Sequence, residues 1–299
     1  MRSRNLRISL WGVFVIGLFI GAAGDRGMPH MPPMRGGFIV LAGDFHVHSF
    51  PGDGALAPWD IAREARRRRL DVFALTNHNA NWSWRLARAL ERTDRTAGVL
   101  MLPGVEVTAV GFHLAAVGIE RPVDWRGSIE EVTAAIHAQG GVAIGAHPAA
   151  GFLKSFDDRA LRALDGIEAA HPGMFQSPQL YRDFAEVYRA AVAAHPSIAA
   201  IGSSDFHAWA PVGLCRTYLF VRAATRDGVL DAIRAGRTVA CDTRGEVHGP
   251  TALATLVRDD CRADAVAPPI GDQFLSRAGA ATAWLSVFAL VILGTDDTR

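Results

Sequence analysis

Short apolar runs alternate with amphipathic segments from Phe38 to Cys241. The runs Phe38–His48, Asp71–Thr76, Val99–Val107, Val142–Ala146, Gly166–Ala170, Ile198–Gly202 and Thr217–Val221 have the length and residue types of strands. Helical patterns lie between several of them. Pro58 opens Trp59 to Arg69, because proline suits the first helical position. Asn81 is placed to cap a segment reaching Arg92. Ser128 and Glu131 form a capping box for a helix to Gln139, which Gly140-Gly141 end. Ser177 and Pro178 start another, ending near His195-Pro196. Thr225 caps a last one, ending at Gly236. Gly111 to Ile119 reads as an extra strand, hairpinned onto Val99–Val107. This alternation predicts a largely parallel α/β sheet, and about seven such units predict a closed or nearly closed barrel.

The two ends of the chain differ from this middle. Arg2, Arg4 and Arg7 precede Ile8 to Gly24, an uncharged and mostly apolar run. That is a basic segment followed by an apolar one, and Ala22-Ala23-Gly24 are small enough for cleavage. Residues 1–24 are therefore expected to be a signal peptide or an N-terminal membrane anchor. The chain beyond is expected to be exported, or anchored, with the arginines kept inside. Residues 25–37 are rich in Gly, Pro and Met and read as a linker. The folded domain is bounded at 38–249. Beyond Cys241 the pattern degrades: Asp242 to Gly271 reads as loop, and 250–277 as a tail. Residues 278–294 are apolar and uncharged, a possible C-terminal membrane segment. Membrane association through one or both termini follows.

Composition narrows the partners. The 299 residues carry a formal charge of +1, which gives no charge signature for nucleic acid. Cys215, Cys241 and Cys261 are odd in number, far apart and without a CxxC. Neither a zinc knuckle nor a disulfide framework is expected from them.

Candidate chemistry gathers at the predicted strand ends. His46 and His48 close the first strand, where residues i and i+2 share a face. Asp53 returns from the Gly-rich loop that follows. His78 ends the second strand, Glu106 the third and His147 a later one, while Asp205 and His207 follow the sixth. His113 lies inside the extra strand. Active sites of parallel α/β barrels are built at the C-terminal strand ends. Imidazoles and carboxylates converging there suit several divalent ions such as Zn, Mn or Fe. His171 also ends a strand, either touching substrate or serving as a loop residue. His137, His195 and His248 are set aside. Lys154, Arg159 and Arg182 are candidate phosphate holders. Phe45, Phe50, Trp59, Trp82, Trp84 and Trp209 either line an apolar pocket or belong to the core.

His46-x-His48, Asp53, Thr76-Asn77-His78, Pro103-Gly104-Val105-Glu106, Ala146-His147-Pro148 and Ser204-Asp205-x-His207 resemble, in order, the motifs of the PHP (polymerase and histidinol phosphatase) family. The resemblance covers roughly Leu41 to Cys241. It implies a distorted (β/α)7 TIM-like barrel with two to three divalent metals. Carried over by motif, one metal takes His46, His48, Glu106 and Asp205. A second takes Glu106 as a bridge, with His113 and His147. A third takes Asp53, His78 and His207. Asn77 departs from the family, where aspartate is common, and so alters the expected charge at the third metal.

The expected activity is phosphoester hydrolysis of a small-molecule substrate by a metal-bridging hydroxide, with Asp205 or His207 passing a proton to the leaving group. Hydrolysis of a carboxylic ester, carbamate or amide on the same metals is the alternative. A non-catalytic, metal-stabilised sensory module is the third reading.

Overall fold

The computed structural model describes residues 2–24, 30–91, 95–208, 210–266 and 273–295, in two units: 1–29 with 269–299, and 30–268. The first unit holds one helix from each end of the chain, α1 (Arg2–Gly24) and, last in order, α9 (Gln273–Thr295).

The second unit opens with β1 (Met34–Arg35), β2 (Phe38–Val47), α2 (Pro58–Arg67), β3 (Val72–Leu75) and α3 (Trp82–Glu91). It continues through β4 (Arg95–Thr96), β5 (Val99–Thr108), β6 (His113–Val117), α4 (Ile129–His137), β7 (Val142–Ala146), α5 (Asp158–Ala163) and β8 (Gly166–Ala170). Then come α6 (Pro178–Ala194), β9 (Ala199–Gly202), β10 (Arg216–Val221), α7 (Arg226–Arg234), β11 (Thr238–Cys241), β12 (Val247–His248) and α8 (Thr251–Val266). Three caps read from sequence, at Ser128, Ser177 and Thr225, are in place. Ser128 and Glu131 form the reciprocal box of α4, and the Ser177 and Thr225 side chains accept from the backbone N–H of Leu180 and Gly228. Each relieves an amide that has no partner inside the helix.

The strands form one sheet in the order β12-β11-β10-β2-β3-β5-β6-β7-β8-β9. It curls into a nearly closed barrel. At the seam, Thr217 Oγ1 on β10 accepts from Gly202 N and donates to Gly202 O on β9, both at 2.9 Å. A side chain on Gly202 would meet the Arg216 backbone, so the seam closes only on glycine. Inside the barrel, Leu41, Phe45, Leu102, Ile144, Ile201 and Leu219 pack together. Outside, α2 and α8 cover one arc and α4, α5 and α6 another.

The sheet is mixed rather than largely parallel. β2–β3, β3–β5, β7–β8 and β8–β9 are parallel, whereas β10–β2, β10–β11, β5–β6 and β6–β7 are antiparallel. The cause is connection length: the short turn from Thr108 to His113 allows a hairpin, and a parallel crossover needs a dozen residues or more.

Three further expectations are corrected. Residues 250–277 are not simply a tail, because α8 occupies Thr251–Val266 and buries Ala254, Val257 and Cys261. The assumed linker contributes β1, and Arg35 within it pairs with Asp260 on α8. The compact unit therefore runs from His30 to Pro268, not 38–249. Finally, Cys241 and Cys261 form a disulfide, joining the end of β11 to α8, and Cys215 alone remains a free, buried thiol.

Candidate metal centre

A bulge in β2 creates the site. Ile39, Leu41 and Phe45 point into the barrel, while Val40, Ala42 and Val47 pack under the outer helices. Strict alternation would send residue 47 inward and the two histidines outward. The pairing with β3 slips between Asp44 and Val47, and the extra residue turns His46 and His48 to the inner rim. Glu106 reaches the same rim from β5. His113 is the first residue of β6, not an interior one. Because β6 runs antiparallel to β5, its start lies at the rim where β5 ends, opposite Thr108. His147 follows β7, and Asp205 and His207 follow β9.

All nine residues singled out as metal ligands come together here. Glu106 is at the centre. Its Oε1 lies 2.7 Å from His113 Nδ1 and 3.1 Å from His147 Nε2. Its Oε2 lies 3.4 Å from His46 Nε2 and 3.3 Å from His48 Nε2. Asp205 Oδ1 is 3.3 Å from each of those same two nitrogens. Asp53 Oδ2 is 3.2 Å from His78 Nε2 and 3.1 Å from His207 Nε2.

Four of these atoms have an unusual status. His46 Nε2, His48 Nε2, Glu106 Oε2 and Asp205 Oδ1 are buried without a hydrogen-bond partner. Such atoms cost about 1–3 kcal/mol each if nothing meets them. Their separations of 3.3–3.4 Å are informative. A tetrahedral shell with bonds of about 2.0–2.1 Å places neighbouring ligand atoms roughly 3.3–3.4 Å apart. The residues therefore fit a divalent cation on an observation independent of motif.

The opposite nitrogen of several histidines is tied down. His46 Nδ1 faces Glu168 Oε1 at 2.9 Å, His48 Nδ1 faces Asp53 Oδ1 at 3.0 Å, and His207 Nδ1 faces the Asp205 carbonyl at 3.0 Å. Each such bond turns Nε2 toward the cluster and fixes the tautomer that offers its lone pair there. His147 (φ 27°) and Asp205 (φ 48°) hold left-handed backbone conformations. That costs each of order 1–3 kcal/mol, a pattern found where surroundings force a functional geometry.

Charge is dense. Burial pushes the His46 imidazole down, but Asp205, Glu106 and Glu168 outweigh it and hold the ring well above its ordinary pKa. His48 is treated alike: burial lowers it, and the neighbouring Asp205 and Glu106 carboxylates lift it to about 9. Glu106 answers in the other direction. Burial raises it, yet His46, His113 and His147 keep it well below the carboxylate range.

Sequence reasoning missed three supporting residues. Glu168, on β8, is fully buried, and its Oε2 also accepts from His147 N at 2.6 Å. Its signal was a lone charge inside an apolar strand. Asp44 is equally buried and accepts from His46 N, Ser204 N, Ser204 Oγ and Gly213 N. It pins the loop that carries Asp205; burial lifts its carboxyl to about 6. Phe152 lays its ring 4.8 Å from His113 and 5.8 Å from His147. His171, left open before, is buried with Nε2 3.5 Å from Asp205 Oδ2.

Other expectations move off the site. Asn77 faces the Ser49–Pro51 turn. Its Oδ1 accepts from Ser49 N and Oγ, and its Nδ2 donates to the Ser49 and Pro51 carbonyls. Its role is to hold the loop that delivers Asp53. Arg159 pairs with Glu130 and Arg182 bonds Gln179, whereas Lys154 is exposed. Phe45 and Trp84 are core, Phe50 and Trp82 are exposed, and Trp209 lies outside the described residues. His137 pairs with Asp165 and His195 bonds Leu164 O. Asp242, Glu246 and His248 form a separate ligand-type group beside the disulfide.

Residues 189–238, from α6 to the start of β11, match the PHP-associated family. An uncharacterized protein of Methanocaldococcus jannaschii is 26% identical over 141 residues, 43% of this chain and 80% of that one. Among solved structures, a two-domain protein of Bacteroides vulgatus containing a predicted PHP-like metal-dependent phosphoesterase superposes with a TM-score of 0.59. It is 20% identical, over 77% of this chain and 73% of that one, a likeness of fold. A lesion-specific endonuclease of Pyrococcus furiosus gives a TM-score of 0.47 at 15% identity, over 82% of this chain and 72% of that one.

Proposed function

We propose that the chain is a PHP-type metal-dependent phosphoesterase, a reading that the match of residues 189–238 to the PHP-associated family supports. The observation that carries this reading is the set of four orphaned, buried atoms on His46, His48, Glu106 and Asp205. These four residues would hold one divalent ion. Glu106, His113 and His147 would hold a second, since the two Glu106 oxygens face two different groups of histidines. Asp53, His78 and His207 would hold a third. Such ions neutralise charge on ester oxygens and bring the ionisation of water down to about pH 7.

The protein's own residues divide the remaining work. His46, His48 and Glu106 have fully buried side chains, while Asp53, His78 and His207 are 44%, 39% and 33% exposed. The first set forms a closed floor and the second an open rim, so substrate enters from the rim. Three cationic positions around one carboxylate suit a phosphoryl group, whose charge is spread over several oxygens. Glu168 and Asp53 hold the His46 and His48 rings and prevent them from swinging. Asp205 faces inward through Oδ1, with His171 behind its Oδ2. With Nδ1 anchored on the Asp205 carbonyl and Nε2 turned to the Asp53 group, His207 would serve as a ligand at the partly exposed rim, and the leaving-group proton would come from water there. Phe152 offers an apolar wall beside His113 for a leaving group.

The test is turnover of aryl phosphomonoesters, aryl phosphodiesters, aryl carboxylic esters and anilides by the same metal-loaded protein. Phosphoester turnover that falls with His207→Ala supports the reading. Turnover of carboxylic esters or anilides alone replaces it with the carbon-centred reaction. Binding of metals with no hydrolysis of any class replaces it with the sensory module.

A further inference from the structure

α1 and α9 form a pair whose contact is made almost wholly of small residues. A Cβ on Gly17 would stand 2.7 Å from Ala283 N and 2.9 Å from Gly279 O. One on Gly279 would collide with Gly21 N and Gly17 O, and one on Gly24 with Ser276 N. Rising numbers in α1 meet falling numbers in α9, so the helices run antiparallel. Gly17 and Gly21, and Gly279 and Ala283, are each four apart. That is the small-xxx-small spacing by which helices approach closely in lipid, where hydrophobic collapse does not drive association. The buried residues of the pair include Gly17, Gly24, Gly279, Ala283 and Ser286.

The large apolar side chains point the other way. Ile8, Trp11, Phe19, Trp284, Leu285 and Phe288 are each more than half exposed. Each helix has 23 residues, or about 34 Å at ~1.5 Å per residue, against a hydrocarbon core of about 30 Å. The hydroxyls within α9 are satisfied inside it: Thr282 donates to Ala278 O and Ser286 to Thr282 O. That is how polar side chains are accommodated away from water. Helices with small residues between them and bulky apolar residues outside fit a lipid surround.

We infer that α1 is a retained anchor rather than a cleaved signal. It pairs with α9 as a two-span hairpin that holds residues 30–268 on the extracytoplasmic side. Cleavage after Gly24 would remove one half of the glycine seam. Two independent features set the orientation. Arg2, Arg4 and Arg7 precede the first span and favour the cytoplasmic side, against Arg26 and Arg277 at the opposite ends of the spans. The Cys241–Cys261 disulfide lies in the intervening domain, and such bonds persist in oxidising compartments. With two spans, both termini lie in the cytoplasm.

The experiment uses the full chain, expressed in a Gram-negative host with green fluorescent protein after Arg299. The expected results are an intact mass that includes residues 2–24, a fluorescent fusion, and protease digestion of the domain from the periplasmic side. In membranes, Gly21→Cys with Ala280→Cys should cross-link on oxidation; a Cβ on Gly21 meets Ala280 N at an ordinary 3.7 Å. A mature chain starting near Asp25, a dark fusion, or a domain protected from protease would each overturn the inference. So would absence of the cross-link in the intact membrane protein. None of these readouts depends on hydrolysis, so failure here is distinct from failure of the phosphoesterase reading.

Discussion

Glu168 Oε1 lies 2.9 Å from His46 Nδ1, and both side chains are fully buried. The pair fixes which His46 nitrogen faces Glu106 and Asp205. Glu168→Gln keeps an acceptor for His46 but removes a charge, and turns an amide donor toward the His147 N–H. The expected outcome is a metal affinity lower by about 10–100-fold, the usual effect of losing an outer partner. Circular dichroism should stay native, and isothermal titration with Mn or Zn reads the change. Unaltered affinity would show that Glu168 only fills space.

Glu106 faces both histidine groups, so its loss should cost more. Glu106→Gln is expected to release at least one equivalent of metal and to lower turnover beyond the ~10–100-fold of an outer partner. Elemental analysis of the purified variant, alongside its kinetics, checks this. Full metal content with full activity would remove Glu106 from the centre.

The metal-stripped protein should respond to pH through His48. Its folded pKa, about 9, lies above the ordinary 6.5. A raised basic group stabilises the fold fully below pH 6.5, and that contribution fades as pH climbs through about 9. The stripped protein should thus lose thermal stability across this window. Metal competes with those protons, so metal affinity should rise over the same window. Melting curves with chelator and with added metal, at several pH values, would reveal a widening gap; a constant gap counts against the ligand role of His48.

Asn77→Asp should act on the fold of a loop. A carboxylate cannot donate to the Ser49 and Pro51 carbonyls that Asn77 now satisfies. We expect destabilisation of about 1–3 kcal/mol and weaker binding at the Asp53 group. Denaturant melts with metal titration test it. Native stability together with altered metal preference would restore the charge-balance view of this position.

Reduction of Cys241–Cys261 frees a crosslink spanning 20 residues of sequence. The expected loss is about 3 kcal/mol, and Cys261→Ser should reproduce it without changing metal content. A coincident loss of metal would tie α8 to the centre.

Much of this architecture was legible in the chain. Caps at Ser128, Ser177 and Thr225 were readable because capping is local chemistry. So were the strand-end histidines, which stand out against apolar runs. What escaped depended on distant partners. The β2 bulge is set by its slip against β3, not by anything in Phe45-His46. Glu168 looked like an isolated charge until His46 met it from across the barrel. α8 hid because its buried face uses Ala254, Val257 and Cys261 amid Arg and Asp. The disulfide was invisible because Cys241 and Cys261 meet only once that helix folds back on β11. His113 looked interior because strand direction, which puts its end at the rim, is a property of the sheet.

The most direct measurement is hydrolysis of an aryl phosphoester by chelator-stripped full-length protein as Mn or Zn is returned one equivalent at a time. The account predicts no turnover in the stripped state, recovery as metal is added, and a plateau at two to three equivalents. Full turnover in the stripped protein, or a folded protein that binds no metal, would contradict it.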